Sequence, residues 1–283
     1  MRMKTILITG INGFLGSHLA KRLMSDYNVI GTEYRINNLY RLEGYNFQVI
    51  DSSPQSIENL FKKEYIDFII HTATFYGRNK EEIRQIADTN LFMPFHLLDS
   101  AIKNKVSVFI NTDTVLDRFV SAYALTKNQF KDWLYFRRNE IKTVNMQLEH
   151  FYGKGCGNSN FVTAMIERLK NNDPVIDLTP GEQQRDFIYY EDIVDAFEIV
   201  VKKNNEISTD SSFQVGAEEY ISIKELMLFL KEEIGSSSVL NFGAIPYREN
   251  ELMKSETDIE SLKNLGWKPK YRIKEGLLKT IKE

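Results

Sequence analysis

A doubly wound α/β fold on a parallel sheet is predicted by three features of the chain. Short β-branched runs alternate with longer stretches of helical periodicity through the first half. A glycine-rich turn separates the first run from the first periodic stretch, and no internal repeat or low-complexity tract breaks the alternation. Strands that keep being separated by helices pair in parallel through right-handed crossovers, which places helices on both faces of one sheet.

The elements follow in order. Lys4 to Thr9, KTILIT, is a short β-branched strand ending at Gly10, and Phe14 to Ser25 is an amphipathic helix. Asn28 to Thr32 and Phe47 to Ile50 are the next strands, Ile57 to Lys63 a helix, and Asp67 to Thr72 a fourth strand. A long periodic segment, Glu81 to Asn104, leads into the apolar run Val106 to Ile110, then a second long helix from Ser121 to about Asn139 and a strand from Lys142 to Leu148. Beyond Gly153 the stretch 154–160 is turn-rich and the elements shorten. Helices are expected at Phe161 to Lys170, Glu191 to Lys203, Ser222 to Ile234 and Asp258 to Leu265, with short strands near Phe187, Phe213 and Val239. The expected division is a dinucleotide-binding domain over 1–153 and a smaller substrate lobe over 154–283, with some crossing of the chain between lobes.

Composition narrows the function. With 283 residues, 42% of them hydrophobic, the chain can bury a sizeable core. Its 36 Lys and Arg against 39 Asp and Glu leave a net charge of −3, which argues against nucleic acid as a partner. Cys156 is the single cysteine and the four histidines are scattered, so neither a disulfide framework nor a metal site is expected. No apolar run reaches membrane-spanning length and no cleavable leader pattern is present, so a cytoplasmic protein without a membrane partner is expected.

Gly10-Ile11-Asn12-Gly13-Phe14-Leu15-Gly16 is G-x-x-G-x-x-G between a strand and a helix. Glycines there let backbone approach a pyrophosphate, and the helix N-terminus attracts its charge, as in a Rossmann dinucleotide site. Asn12, Phe14 and Leu15 belong to the same turn and, with Thr72 and Ala73 at the end of the fourth strand, are expected to bind the coenzyme. Glu33 ends the second strand about twenty residues on, where a ribose is met. Glu33 favours a free 2′-hydroxyl and NADH, whereas Arg35 could pair with the 2′-phosphate of NADPH or be a solvated surface arginine; both coenzymes stay open.

Tyr123 and Lys127 stand at i and i+4, on one face of the second long helix. A nearby ammonium stabilises phenolate, so Lys127 is expected to pull the Tyr123 phenol down towards neutrality for proton transfer at a carbonyl oxygen. The preceding strand ends in Asn111-Thr112-Asp113-Thr114, at the sheet edge where open α/β folds present their chemistry. Thr112, or else Thr114, supplies a hydroxyl for the same oxygen; a turn or helix cap is the structural alternative.

The glycines at 10, 13 and 16, then Thr112, Tyr123 and Lys127, resemble in order and spacing the extended short-chain dehydrogenase/reductase family of nucleotide-sugar epimerases, dehydratases and reductases. The resemblance continues through Asn90, Leu148 to Gly153, Arg185 to Tyr189 and Leu265 to Pro269, nearly the whole chain. It implies Tyr123 as acid/base, Lys127 also on the nicotinamide ribose, Thr112 on the sugar C4 oxygen, and Asn90 near the coenzyme. It further implies Arg185 and Arg248 on the nucleotide diphosphate, and Asn160, with Phe161 and Asp113, lining the substrate site. His150 replaces a substrate-contacting asparagine or is a satisfied core histidine. Tyr76 and Arg78 are expected as sugar-side contacts, though Arg78 also suits a solvated loop.

Within the family, 148–153, 183–187 and Asn-Glu-Leu-Met at 250–253 resemble the CDP-abequose and CDP-paratose synthase group. That implies NAD(P)H-dependent reduction of the C4 ketone of a nucleotide-linked 4-keto-6-deoxy or 3,6-dideoxy hexose for lipopolysaccharide or other surface polysaccharide, with NADPH the usual reductant. A 4-epimerase with tightly bound NAD is the alternative. A 4,6-dehydratase follows behind it, because that group carries an Asp-Glu pair after the threonine where this chain has Asp113-Thr114. Phe92, Phe95, Phe130, Trp133 and Phe136 exceed what one sheet face needs, so a homodimer through a four-helix contact is expected, with deeper burial in one subunit as the alternative.

Overall fold

The structure is a computed structural model that describes residues 2–78, 81–157, 159–248 and 251–282. Asn158 of the turn-rich stretch and Asn250 of the Asn-Glu-Leu-Met motif lie outside the described residues. In chain order the elements are β1 (Thr5–Thr9), α1 (Phe14–Leu23), β2 (Asn28–Glu33), β3 (Gln48–Asp51), α2 (Pro54–Lys63), β4 (Phe68–His71), α3 (Ile83–Ala87), α4 (Met93–Lys103), β5 (Val108–Thr114), α5 (Ala122–Phe136) and β6 (Lys142–Leu148). There follow β7 (His150–Tyr152), α6 (Phe161–Lys170), β8 (Val175–Leu178), β9 (Gln184–Tyr189), α7 (Tyr190–Lys202), β10 (Ser211–Val215), β11 (Tyr220–Ser222), α8 (Ile223–Ile234), β12 (Val239–Phe242), α9 (Glu260–Asn264) and α10 (Ile273–Lys282).

The chain divides into two compact units, 1–147 with 197–213, and 148–196 with 214–283. The first unit therefore ends six residues before the expected boundary and takes back a later segment. That segment returns because β10 joins the edge of the large sheet, beside β6.

The large sheet has the order β10-β6-β5-β4-β1-β2-β3, with β3-β2-β1-β4-β5 in parallel register. This is the doubly wound arrangement, with its order reversing between β1 and β4. Thr9 pairs with His71 and His71 with Asn111, so β1 and β4 end level with Asn111 while β5 runs on to Thr114. Leu7, Ile69 and Phe109 of the sheet pack with Leu60 of α2, Leu97 and Ala101 of α4, and Phe130 and Leu134 of α5. Each is nearly solvent-free, which is why these strands read as continuous apolar runs.

The long segment expected over 81–104 is helical from Ile83 to Lys103 without a break, though not α-helical throughout. A π turn at Asp88–Phe92 joins α3 to α4 and carries Asn90 inward. Such a turn inserts a residue without changing the apolar spacing on either side, so periodicity alone does not reveal it.

In the second unit β7 and β9 pair in parallel, β9 and β11 antiparallel, and β8 pairs with β12. Its core gathers Tyr152, Ile166, Phe187, Tyr189, Leu226, Leu230 and Leu277. The Tyr152 hydroxyl donates to the Ile273 carbonyl at 2.9 Å, satisfying the polar end of a buried ring. Strands β7, β8 and β11 and helix α10 were not expected from the sequence; the strands have three or four residues, too few to show a period.

Candidate active site

The turn after β1 is built for close backbone approach. Gly10 has φ +65°, in the left-handed region, and a Cβ there would lie 2.9 Å from the Ala73 Cα. A Cβ at Gly16 would lie 2.2 Å from the Gly10 carbonyl oxygen. Neither position admits a side chain. Gly10 N–H donates to the Thr32 carbonyl and Gly13 N–H to the Gly10 carbonyl, both at 2.8 Å. α1 begins at Phe14 with Gly13 as N-cap and no capping side chain, the arrangement that suits a phosphate at a helix N-terminus. Thr72 and Ala73 back the turn: Thr72 Oγ1 donates to the Thr9 carbonyl at 2.6 Å, and Ala73 N–H to Thr9 Oγ1 at 3.2 Å.

Glu33 stands at the same turn. Its Oε2 accepts Asn12 N–H at 3.1 Å and its Oε1 accepts Tyr34 N–H at 2.9 Å. Asn12 then donates to the Asn38 carbonyl and accepts Arg41 N–H, each at 3.1 Å. Arg35 is exposed, with its guanidinium carbon 5.9 Å from the Tyr34 ring centre. A cradle that any Cβ would fill, a helix N-terminus and a fixed carboxylate together fit a dinucleotide.

Tyr123 and Lys127 sit one turn apart on α5, whose N-cap Ser121 accepts Ala124 N–H at 3.1 Å. The Tyr123 ring lies 4.9 Å from that of Tyr76, and the Arg78 guanidinium carbon lies 4.5 Å from the Tyr76 ring centre. The structure thus gathers Tyr76, Arg78, Tyr123 and Lys127. Of the two candidate hydroxyls, that of Thr114 accepts Leu116 N–H at 3.2 Å and acts on the Tyr123 phenol. The Thr112 hydroxyl is buried with no hydrogen-bond partner among the described residues. A buried hydroxyl left so costs about 1–3 kcal/mol, and a substrate oxygen is the kind of group that would satisfy it.

The electrostatics correct one expectation. Burial pushes the Tyr123 phenol well above its ordinary value, Tyr76 and Asp113 push it the same way, and Thr114 and Arg78 oppose them. Arg78, rather than Lys127, is the cation that favours the phenolate. Burial also lowers the Lys127 ammonium to about 8, with Asp113 opposing the fall. Desolvation outweighs the attraction between charges here because α5 packs these groups against the sheet interior.

Asp113 corrects another expectation. It is 2% exposed, and its Oδ2 accepts from Asn145 Nδ2 at 2.7 Å, while Asn145 Oδ1 accepts from Asn111 Nδ2 at 2.7 Å. Strand alternation turns 111 and 113 to one face and 112 to the other, so Asp113 lies inside the fold, with its Oδ1 left without a hydrogen-bond partner among the described residues. Asn90 is likewise engaged: its Oδ1 accepts from Phe75 N–H at 2.9 Å, and its Nδ2 donates to the Phe75 carbonyl and to Thr126 Oγ1. It ties the loop after β4 to α5, and its amide is not free for a coenzyme. Asn145 and the buried His71, whose Nδ1 lies 2.8 Å from Thr9 Oγ1, were missed; polar residues inside apolar strands were the available signal.

In the second unit, Arg185 does not stand free for a diphosphate. Its guanidinium pairs with Glu251 and donates to the Leu252 carbonyl and, at 2.9 Å, to the Gln184 carbonyl. β9 draws this strap in, since Gln184 N–H donates to the Met253 carbonyl at 2.8 Å. Asn160 is a helix cap: its Oδ1 accepts Thr163 N–H at 3.2 Å and its Nδ2 donates to the Phe151 carbonyl at 2.7 Å. Asn160 is held by nearby backbone and Arg185 chiefly by Glu251 and Leu252 far along the chain, which a motif does not reveal. Phe161 and Arg248 are exposed and His150 is half-buried.

Residues 6–216 match the NAD dependent epimerase/dehydratase family. The chain belongs to that family. CDP-abequose synthase of Salmonella typhimurium is 33% identical over 290 residues, covering 98% of this chain and 97% of the relative. The UDP-glucose 4-epimerase of Thermotoga maritima, solved with UDP-glucose, is 25% identical with TM-score 0.87, covering 98% of this chain and 97% of its own. The UDP-glucose 4-epimerase of Thermus thermophilus, solved with NAD, is 20% identical with TM-score 0.85 over 98% of both chains and shares the fold. As a family member this protein is an NAD-dependent enzyme of the epimerase/dehydratase type.

Proposed function

We propose that this enzyme reduces the C4 ketone of a nucleotide-linked 4-keto-6-deoxy or 4-keto-3,6-dideoxy hexose. The observation that carries the reading is the end-to-end identity of 33% with CDP-abequose synthase. The acid/base set agrees with it. Reduction needs one proton donor, Tyr123, whose phenol gives its proton to the C4 oxygen as negative charge develops there. Arg78 supplies positive charge for the phenolate left behind, and the orphaned Thr112 hydroxyl or Thr114 donates to the same oxygen. The coenzyme at the glycine turn supplies the hydride when bound. Dehydration needs further carboxyl groups on the sugar, and Asp113 is turned inward with Thr114 after it.

The first test is loss of nicotinamide absorbance with NADH and NADPH separately, against CDP-, dTDP-, GDP- and UDP-linked 4-keto-6-deoxy sugars and the 3-deoxy CDP compound. Stoichiometric oxidation with one of them supports the reductase and names base and coenzyme. No oxidation, with NAD found bound to the purified protein, supports the 4-epimerase instead. Tyr123→Phe is expected to bind coenzyme normally and lose nearly all turnover; undiminished turnover refutes the assignment.

A homodimer through α4 and α5 belongs to the same proposal. Phe92, Trp133 and Phe136 are 55%, 48% and 69% exposed, and form with Phe95 a run of edge-to-face rings. Phe130, also expected at that contact, is buried in this unit's own core. A monomer mass by light scattering at micromolar protein refutes the dimer.

A further inference from the structure

Residues 74–78, after β4, are held against α5 by the π turn. Asn90 Oδ1 accepts Phe75 N–H at 2.9 Å and the Thr74 hydroxyl at 3.3 Å, while its Nδ2 donates to the Phe75 carbonyl at 3.0 Å and to Thr126 Oγ1 at 3.1 Å. Thr126 lies on the helix that carries Tyr123, so this clip fixes the loop relative to that phenol. Gly77 then turns the chain: its φ is +65°, and a Cβ there would stand 2.4 Å from Ile86 Cδ1 of α3.

The result is a stack of three side chains within one unit. The Tyr76 ring lies 4.9 Å from the Tyr123 ring, inclined by 38°, and the Arg78 guanidinium carbon lies 4.5 Å from the Tyr76 ring centre. That is well inside the ~6 Å at which a ring face attracts a cation. Arg78 is exposed, and no carboxylate pairs with it among the described residues. An arginine left to solvent samples many rotamers, and its charge would act on Tyr123 in only some of them. The titratable and charged groups that face Tyr123 from neighbouring elements are Tyr76 and Arg78 of this loop and Asp113 of β5; of these, Arg78 favours the phenolate.

We infer that Tyr76 is a positioning residue that keeps the Arg78 guanidinium beside Tyr123, so that the phenol can give its proton to the C4 oxygen and remain as phenolate. The inference rests on the reading of Tyr123 as the proton donor of a ketone reduction. In that step the O–H bond of Tyr123 breaks as one forms at the C4 oxygen, whose carbon takes the coenzyme's hydride, and the charge left on the phenol oxygen is what Arg78 meets. Tyr76 and Arg78 are thereby assigned to the donor rather than to the sugar. The two roles part in kinetics, since a sugar contact sets KM whereas charge on the developing phenolate sets kcat.

The first arm of the test needs no substrate. A trifluorotyrosine at position 123 alone, whose phenol is far more acidic than that of tyrosine, reports its own ionisation by fluorine NMR in the coenzyme-free protein. Arg78→Met is expected to raise the midpoint by about 0.5–1 pH unit at about 0.02 M salt, and the difference should fall by more than half at about 0.5 M salt, because an exposed charge is screened. Tyr76→Leu, which keeps the arginine and removes the ring, is expected to raise it similarly, with the double variant no higher than Arg78→Met; Tyr76→Gln serves if Tyr76→Leu does not fold. Tyr76→Phe, which keeps the ring, should leave the midpoint within about 0.3 unit. In the second arm, with tyrosine at 123, Arg78→Met and Tyr76→Leu each lower kcat about three- to tenfold with KM within about twofold, and Arg78→Lys restores most of the loss. An unmoved midpoint in Arg78→Met or in Tyr76→Leu, or a rise in KM with kcat unchanged, overturns the inference. Shifted midpoints in a protein that turns over no nucleotide-linked 4-keto sugar support the stack and refute the reductase reading instead.

Discussion

Replacing Lys127 by Met should make the protein more stable while destroying its activity. Lys127 is 2% exposed, and burial holds its ammonium to about 8 against an ordinary 10.5. At about 1.4 kcal/mol per pH unit, the charged form costs the fold about 3 kcal/mol below pH 8, with the favourable pull of Asp113 already contained in that value. The sign follows from proton counting. Below pH 8 the lysine is protonated in both states and the full cost applies; between 8 and 10.5 the folded lysine is neutral while the unfolded one is charged, so wild-type stability rises with pH. Above 10.5 both are neutral and the cost is gone. Met fills a similar volume without the charge. Urea unfolding of the coenzyme-free proteins should therefore show Lys127→Met more stable by about 3 kcal/mol near pH 7, and by under about 0.5 kcal/mol near pH 10.5. Turnover should be lost at every pH. A variant less stable than wild type near pH 7, or a gap that does not shrink as pH rises, would refute the claim that this lysine is a buried charge kept at the fold's expense.

Three further outcomes are expected. Gly16→Ala sets a Cβ 2.2 Å from the Gly10 carbonyl oxygen, so it should lower stability by about 1–3 kcal/mol and weaken coenzyme binding at least about tenfold; unchanged coenzyme titrations would remove the glycine turn from the site. Glu33→Ala should weaken NADH more than NADPH if its carboxylate meets the ribose, and equal losses would mean that its role ends at the Asn12 and Tyr34 amides. Asp186 and Asp192 are fully buried, and burial raises each from 3.8 to about 6. Their contribution to stability is complete below the unfolded value of 3.8 and lost as pH rises through about 6, up to about 3 kcal/mol for each. Asp192→Asn should therefore flatten the fall in urea stability between about pH 4 and 6; an unchanged slope would show that Asp192 ionises as easily in the fold as out of it.

Local sequence determined the fold class, because strands buried on both faces must be apolar throughout and the helices between them amphipathic. β1, α1 and the glycines between them are legible because the positive φ of Gly10 favours glycine and the approach of Ala73 leaves no room there for a Cβ. Tyr123 and Lys127 could be paired because i and i+4 share a helix face wherever the helix lies.

What tertiary structure alone decided is the environment of those residues. The spacing of Tyr123 and Lys127 suggested a phenol made acidic by its lysine, yet burial against the sheet raises the one and lowers the other. Asp113, Asn90, Asn160 and Arg185 occupy motif positions, and neighbours far along the chain or in the local backbone decide which are already satisfied. Asn145 takes one oxygen of Asp113 and leaves the other without a partner among the described residues, Thr126 and the 75 backbone take Asn90, and Glu251 takes Arg185. Glu149 shows the converse, since nothing in its local sequence distinguishes a solvated glutamate from one held between His150 and Thr257, 108 residues away. Periodicity reports which way a side chain points from its own backbone. Desolvation and hydrogen-bond partners depend on what the rest of the chain brings to meet it, and these set the chemistry.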